Sequence, residues 1–324
     1  MKSSTTAGEP SCSAWVDPEA VLSAVTSGHE RVFWLDGGGA RDWSGRFSYL
    51  GWLERGEVSL AYDAVSRTVT EHDGGGCGRV VGNDIFAVLE DRTSQAAARD
   101  GFGGWVGYFG YACRPDLSVR LEPDPLGPGV PDAMWMQVGR YAVFDHANHV
   151  VQLHGLDALP SAPHRPPTET STSVYRDMPY EKYCQAFALV QEHLRAGNSY
   201  ETNLTYRVAV DSDVDPVAAY LRLRRLNRAP YAAFLYHHGV SVLSSSPERF
   251  ATIGRDRTIE TRPIKGTTGR SDDPAVDRRN RDLLGTDPKF RAENLMVVDL
   301  LRNDLSIVCE AGTVVVPDLM HVES

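Results

Sequence analysis

The chain has 324 residues, 42% hydrophobic and 23% charged, with a net charge of −10 at pH 7. Such a composition supports a packed core in one large or two ordinary domains, and the acidic balance argues against nucleic acid as the main partner, because phosphate backbones require basic patches. No apolar run approaches membrane-span length and the opening MKSSTTAGEPSCSAWVDPEA lacks the apolar centre of a signal peptide, so the expectation is a cytoplasmic enzyme with no membrane partner.

To about residue 30 the chain reads as a loose polar segment holding one short helix near PEAVLSAV. Residues 31–158 read as an N-terminal region of short β-rich runs broken by glycine: RVFWLDGGG, RFSYLGWL, VSLAYD and RTVTEHD. GFGGWVGYFGY at 101–111 mixes glycines, which let backbones approach, with rings that fill the space. RYAVFDHANHVVQLHG predicts a hairpin turning at DHANH. LPSAPHRPPTETSTS at 159–173 has the composition of a linker and separates a second region, 174–324. There a helix is predicted over 179–196, with Tyr183, Phe187, Val190 and Leu194 on one stripe and Gly197 as its C-cap. A strand over SYETNLTYRVAV and a helix near 215–227 follow. YAAFLYHHGVSVLSSSPERFATI predicts strands around a turn at His237–Gly239, and TIETRPIKGTT a strand running into an open loop. Helices over about 273–284 and 288–305 complete the pattern.

Several chemistries drop out. No G-x-x-x-x-G-K-[ST], G-x-G-x-x-G or H-E-x-x-H motif occurs. Cys12, Cys77, Cys113, Cys184 and Cys309 lie far apart with no C-x-x-C pair, so neither a zinc site nor a disulfide framework is expected, and the thiols read mainly as packing residues. His146 and His149 fall in the predicted hairpin turn, and His237 and His238 in another, so both pairs read as solvated turns rather than metal ligands. The N-L-T sequon at 203–205 is idle in a cytoplasmic chain.

Over 288–305, Leu295, Met296, Val297, Val298, Leu300 and Leu301 cover nearly the whole circumference at 100° per residue, which predicts a buried helix. It also carries Glu293, Asp299, Arg302, Asn303 and Asp304, and buried charge is costly unless paired or coordinated. Arg302 and Asp299, neighbours at i, i+3, read as a structural ion pair. Glu293, in the N-terminal part, is a candidate ligand for Mg²⁺, which takes few protein carboxylates and keeps several waters. In ETRPIKGTTGR, residues 260–270, Lys265 lies between a proline-fixed turn and a Gly-Thr-Thr-Gly run, where it could bind an anion or react. Glu248 follows a proline where a strand ends, 17 residues before it. A strand–turn–strand of that length can bring a carboxylic acid and an amine nucleophile to one cleft; equally, Glu248 can pair with Arg249 on the surface.

SYETNLTYR, SSSPERF, ETRPIKGTTGR and AENLMVVDLLRNDL occur in this order. Together they resemble the chorismate-utilising enzymes: anthranilate synthase component I, aminodeoxychorismate synthase component I, and the isochorismate and salicylate synthases. GGWVGYFGY and FWLDGGG with GRFSYLGWL are similar to the N-terminal region of the first two. Lys265 sharpens the resemblance toward aminodeoxychorismate synthase component I, because anthranilate synthases usually carry alanine there. The resemblance implies an α/β (α+β) fold of large, mostly antiparallel β-sheets stacked with helices outside, as in anthranilate synthase component I. It implies conversion of chorismate and ammonia to 4-amino-4-deoxychorismate, on the way to p-aminobenzoate for folate or specialised metabolism. Lys265 would be the nucleophile at C2 of the ring, Glu248 the general acid on the departing C4 hydroxyl, Gly266 and Thr267 substrate contacts, and Glu293 a ligand of a Mg²⁺ cofactor. Ammonia would come from a glutamine amidotransferase partner. Some members bind tryptophan, and the matching positions are Gly37, Arg46, Phe47, Ser48, Tyr49, Pro230, Tyr231 and Ala232; the family usually has serine where Gly37 stands.

The chain also departs from that pattern. Phe290 stands where aspartate is usual, and DLSIVC replaces DLGRVC. The family's C-terminal GAPK segment, second Mg²⁺ glutamate and carboxylate-gripping residues have no match, so the resemblance implies an incomplete C-terminal part and weak or no activity for this chain alone. The competing expectations are an anthranilate synthase-like enzyme, or a non-catalytic subunit or fragment that binds an amidotransferase.

Overall fold

The computed structural model describes residues 11–38, 45–97, 104–114, 130–162, 173–176 and 178–322. Its elements run β1 (Ser11–Ala14), α1 (Pro18–Thr26), β2 (Arg31–Asp36), β3 (Phe47–Trp52), β4 (Ser59–Asp63), β5 (Thr68–His72), β6 (Arg79–Gly82), α2 (Ile85–Ala97) and β7 (Gly104–Phe109). Then come β8 (Ala133–Val138), β9 (Tyr141–Asp145), β10 (Val150–His154), β11 (Ser173–Arg176), α3 (Tyr180–Arg195), β12 (Val208–Asp211) and α4 (Pro216–Leu226). The last are β13 (Tyr231–His237), β14 (Val240–Ser246), β15 (Thr252–Ile253), β16 (Ile259–Glu260), α5 (Pro274–Thr286) and α6 (Pro288–Val308). Four helices start the same way. Asp17, Asp215, Asp273 and Asp287 cap α1, α4, α5 and α6, each accepting a backbone N–H with a proline next in line, which supplies the missing acceptor and pre-sets φ.

By contacts the chain divides into two compact units, Met1–Arg228 with Ala232–Ser245, and Ala229–Tyr231 with Ser246–Ser324. This division does not follow the expected linker, of which residues 163–172 lie outside the described residues. In the first unit a seven-stranded sheet has the order β1-β10-β9-β3-β2-β13-β14, and a five-stranded sheet the order β6-β5-β4-β8-β7. β2 shows why its sequence RVFWLD is apolar without alternation. Val32 and Trp34 face α1 and α4 in one cluster with Val21, Leu22, Tyr220, Leu221 and Phe234. Phe33, on the opposite face, joins Met134, Met136 and Val138 of the second sheet. A strand buried on both faces needs apolar residues at successive positions. Gly107 confirms the close-approach reading of its motif: a Cβ there would run into the Met134 carbonyl across the β7–β8 pair.

The hairpin at DHANH forms as expected, β9 pairing antiparallel with β10. Gly197, at φ +73°, ends α3, with Gly197 N–H on the Leu194 carbonyl and Asn198 N–H on that of His193, a left-handed cap that satisfies two orphan carbonyls.

Other expectations are corrected. Residues 11–30 are not simply loose, because β1 pairs with β10 along four residues; residues 1–10 lie outside the described residues. The strand over SYETNLTYRVAV shrinks to Val208–Asp211, and that over TIETRPIKGTT to Ile259–Glu260, each the length its one partner strand covers. The 288–305 helix exists, but none of its residues is buried and Leu295 is 53% exposed. The Arg302–Asp299 pair forms at 3.0 Å on its surface. Cys12, Cys77 and Cys184 are exposed, and only Cys113 is buried. Neither histidine pair is simply a solvated turn: His237 ends β13 at 4% exposure, and the half-buried His146 lies 2.7 Å from Ser48 Oγ. Among the described residues no three His, Cys, Asp or Glu side chains could hold a metal ion, and no helix is long and apolar enough to cross a membrane.

Candidate active site

The β15–β16 ladder pairs Thr252 with Glu260 and Ile253 with Ile259. The same register, continued four residues outward, puts Glu248 opposite Ile264. The side chain completes that pairing: the Ile264 N–H donates to Glu248 Oε1 at 3.1 Å. Glu248 therefore sits one residue from Lys265, as the sequence spacing allows. The alternative, Glu248 paired with Arg249, does not occur, because Arg249 Nη2 lies 2.8 Å from Glu260 Oε1, which also holds Arg262 at 2.6 Å. Glu248 is exposed and Lys265 half-buried.

After Lys265 the backbone turns at Gly266 with φ +80°, a region that disfavours side chains. A Cβ on Gly266 would lie 3.0 Å from Phe290 Cδ1, so this turn rests against the first turns of α6. Thr267 is exposed. The far end of the loop is clasped to α5: Asn280 Nδ2 donates to the Gly269 carbonyl at 2.9 Å, and Arg270 donates to both oxygens of Asp277 at 2.8 and 3.0 Å. Arg270 holds the Asp277 carboxyl below its ordinary range, an effect that salt screens on this exposed surface.

Glu293 lies three residues beyond Phe290 on α6, so both project toward one side of the helix. Its carboxylate is 3.9 Å from Lys289 Nζ, a loose i,i+4 pair. The donor set is thus one carboxylate and little else, which fits Mg²⁺ only where a ligand's own carboxylates and waters complete the shell. The segment brings together Glu248, Lys265 and Gly266 and sets Glu293 one helical turn from their support. Sequence reasoning noted Phe290 only as a departure from the family pattern and missed the supporting residues Asp277 and Asn280, whose only advance signal was their position on the helix after the loop.

The positions matched to a tryptophan site lie elsewhere. Gly37 follows β2, and Tyr49 pairs with Leu35 and Ala232 with Asp36 on the strands flanking it. Pro230 is buried and Tyr231 opens β13. The polar groups here are engaged within the chain. Arg46 donates to both oxygens of Asp145 and holds that carboxyl well below the usual carboxylate range. Arg46 also lies 4.8 Å from the Phe47 ring centroid. Ser48 Oγ receives the Gly37 N–H at 3.1 Å and donates to Asp36 at 3.3 Å. Its one proton is then used, so the imidazole of His146 must donate to it from Nε2. A Cβ on Gly37 would come 2.7 Å from the Phe47 carbonyl, which explains glycine where the family usually has serine.

Residues 39–324 match the family model for chorismate binding enzymes. The chain belongs to the chorismate-binding enzyme family. It is 33% identical over 343 aligned positions to the aminodeoxychorismate synthase of Streptomyces pristinaespiralis, covering 95% of this chain and 47% of that one. It is 41% identical over 237 positions to aminodeoxychorismate synthase component 1 of Salmonella typhimurium, covering 68% and 50%. The anthranilate synthase component I of Streptococcus pneumoniae has the same fold, with a TM-score of 0.62 at 21% identity, covering 81% of this chain and 62% of that one. The expected α+β architecture of antiparallel sheets with outer helices is therefore present. The chain spans about half the length of the curated relatives it matches.

Proposed function

We propose that the chain is the chorismate-binding part of an aminodeoxychorismate synthase component I. The observation that carries this reading is the Glu248 carboxylate bonded to the Ile264 amide, immediately beside Lys265. An acid and an amine on adjacent segments that flank the β15–β16 pair suit the displacement of a poor leaving group. The Lys265 amine would form a C–N bond at C2 of chorismate while the ring double bond shifts and the C4–O bond breaks. Glu248 would donate its proton to that oxygen, which leaves as water. Ammonia would then bond at C4, the double bond would shift back, and the Lys265 C–N bond would break to regenerate the amine. Gly266 and Thr267 would offer backbone N–H groups to the substrate's carboxylates. Glu293 would hold Mg²⁺, which when bound neutralises charge on the dianionic substrate. A glutamine amidotransferase would supply ammonia, consistent with relatives named as component 1.

The test incubates the protein with chorismate, Mg²⁺ and ammonium, adds a lyase that releases p-aminobenzoate, and reads products and the Lys265 peptide by mass. The expected result is a chorismate-derived adduct on Lys265 or p-aminobenzoate, both lost in Lys265→Ala. Anthranilate as the product, turnover unchanged in Lys265→Ala, or no binding of chorismate at all would overturn the reading.

A further inference from the structure

A guanidinium at the end of a Gly-Thr-Thr-Gly run reads as a direct grip on an anionic ligand, but Arg270 is committed elsewhere. Its Nε and Nη2 donate to the two carboxylate oxygens of Asp277 at 2.8 and 3.0 Å, a fork that matches the geometry of both groups. Asp277 Oδ1 also accepts the Ser271 N–H at 3.1 Å. Asn280 Nδ2 donates to the Gly269 carbonyl at 2.9 Å. Asp277 and Asn280 stand three apart on α5 and are neighbours on its surface, so Gly269, Arg270 and Ser271 are each tied to one side of that helix. The helix is itself fixed at its start, where Asp273 accepts the Ala275 and Val276 N–H groups.

We infer that Asp277 and Asn280 are positioning residues for the substrate loop, with Arg270 serving as the tie to α5 and not as a ligand contact. The run from Thr267 to Arg270 is exposed, and a Cβ on Gly269 would meet nothing within 4 Å, so packing does not hold this stretch. Exposed backbone containing glycine loses much conformational entropy when it is ordered. A loop that offers N–H groups to carboxylates binds them more tightly when it is ordered before the ligand arrives. The Phe290 ring lies against the Gly266 end of the loop, and the clasp to α5 holds the other end. This inference rests on the reading of Gly266 and Thr267 as substrate contacts, and its test needs no turnover.

The experiment titrates the full chain with chorismate and Mg²⁺ by calorimetry and follows hydrogen exchange in the peptide covering 266–271 without ligand. It compares the parent with Asp277→Ala, Arg270→Gln and the double variant. A tie acts as one unit, so each single variant and the double are expected to weaken chorismate binding by the same factor, about three- to tenfold, and to speed exchange alike. Asn280→Ala is expected to shift both readouts in the same direction by less. Exchange that rises while affinity stays at the parent's value would make the clasp merely structural and overturn the inference. So would unchanged exchange in Asp277→Ala, or a double variant that loses far more affinity than Asp277→Ala alone, because Arg270 would then touch the substrate itself. The substitutions lie on exposed or half-exposed positions, and Asn280→Ala decides the matter should Asp277→Ala not fold. A parent chain that does not bind chorismate removes the proposed function and this inference together; binding that no variant alters removes this inference alone.

Discussion

Asp36 accepts hydrogen bonds from Arg224 Nε at 2.5 Å, Tyr220 at 3.3 Å, Ser48 at 3.3 Å and the Gly38 N–H at 2.9 Å while 1% exposed. Arg224 continues to Glu19 at 2.9 Å, and Glu19 to Arg225 at 3.0 Å. Removing one member of such a network leaves an uncompensated buried charge, so Asp36→Ala should cost about 3–5 kcal/mol, measured by urea unfolding. Gly37→Ser, which restores the residue usual in the family, should destabilise by about 1–3 kcal/mol because the Phe47 carbonyl occupies the space; a melting temperature equal to the parent's would contradict that. At the proposed site, Glu248→Gln keeps an acceptor for the Ile264 N–H but loses the proton donor. It should lower kcat about 10²–10⁴-fold, and a chorismate turnover rate equal to the parent's would contradict that.

At the scale of elements, the two sheets of the first unit meet at a cluster of imidazoles around a buried guanidinium. Arg31 of β2 donates to the carbonyls of Glu57, His72 and Glu54 and to Ser59 Oγ. His237 of β13 lies 3.0 Å from Ser59 Oγ on β4. The His72 and His237 rings are 5.5 Å apart, and the His72 and His238 rings 5.1 Å. His238 reaches Glu30 at 3.0 Å. Burial, then the nearby His238, His72 and Arg31, push His237 down to about 3, and burial lowers His72 as well. The unfolded chain binds these protons near pH 6.5 and the folded chain does not, so stability is full above that value and falls as pH drops toward 3. The urea midpoint should decline from pH 7 to pH 5, and His237→Gln should flatten that decline. An equal slope in the variant would show that carboxylates elsewhere govern it.

Across the whole molecule, burial is uneven. Among the described residues, none after His237 is buried, although Leu295, Ile307, Val308 and Val315 are exposed by 53, 76, 70 and 74%. The first unit holds all three apolar clusters, from Val21 to Leu235. Local opening is easiest where few apolar side chains are covered. Limited proteolysis should therefore cut within 246–322 before it cuts β2, β3, β9 or β13, and amides of α6 should exchange faster than those of β9. Equal protection of α6 and β9 would refute this.

The family and several element boundaries of this chain were written locally, and so they were legible. Asp–Pro pairs start four helices, Gly197 stops α3, and DHANH turns the β9–β10 hairpin, because capping and turn geometry involve only a few adjacent residues. The motifs around Glu248 and Lys265 pointed to the family, and their 17-residue spacing allowed the pairing that the β15–β16 register completes. What the sequence could not settle was cover. An apolar helix such as α6 is buried only if other surfaces meet it, and SYETNLTYR is a strand only where a neighbouring backbone accepts its hydrogen bonds. His237, Phe290 and Asp36 took their roles from residues 178, 24 and 188 positions away. Tertiary structure decided those contacts, because burial and pairing are properties of two surfaces, and one stretch of sequence specifies only one of them.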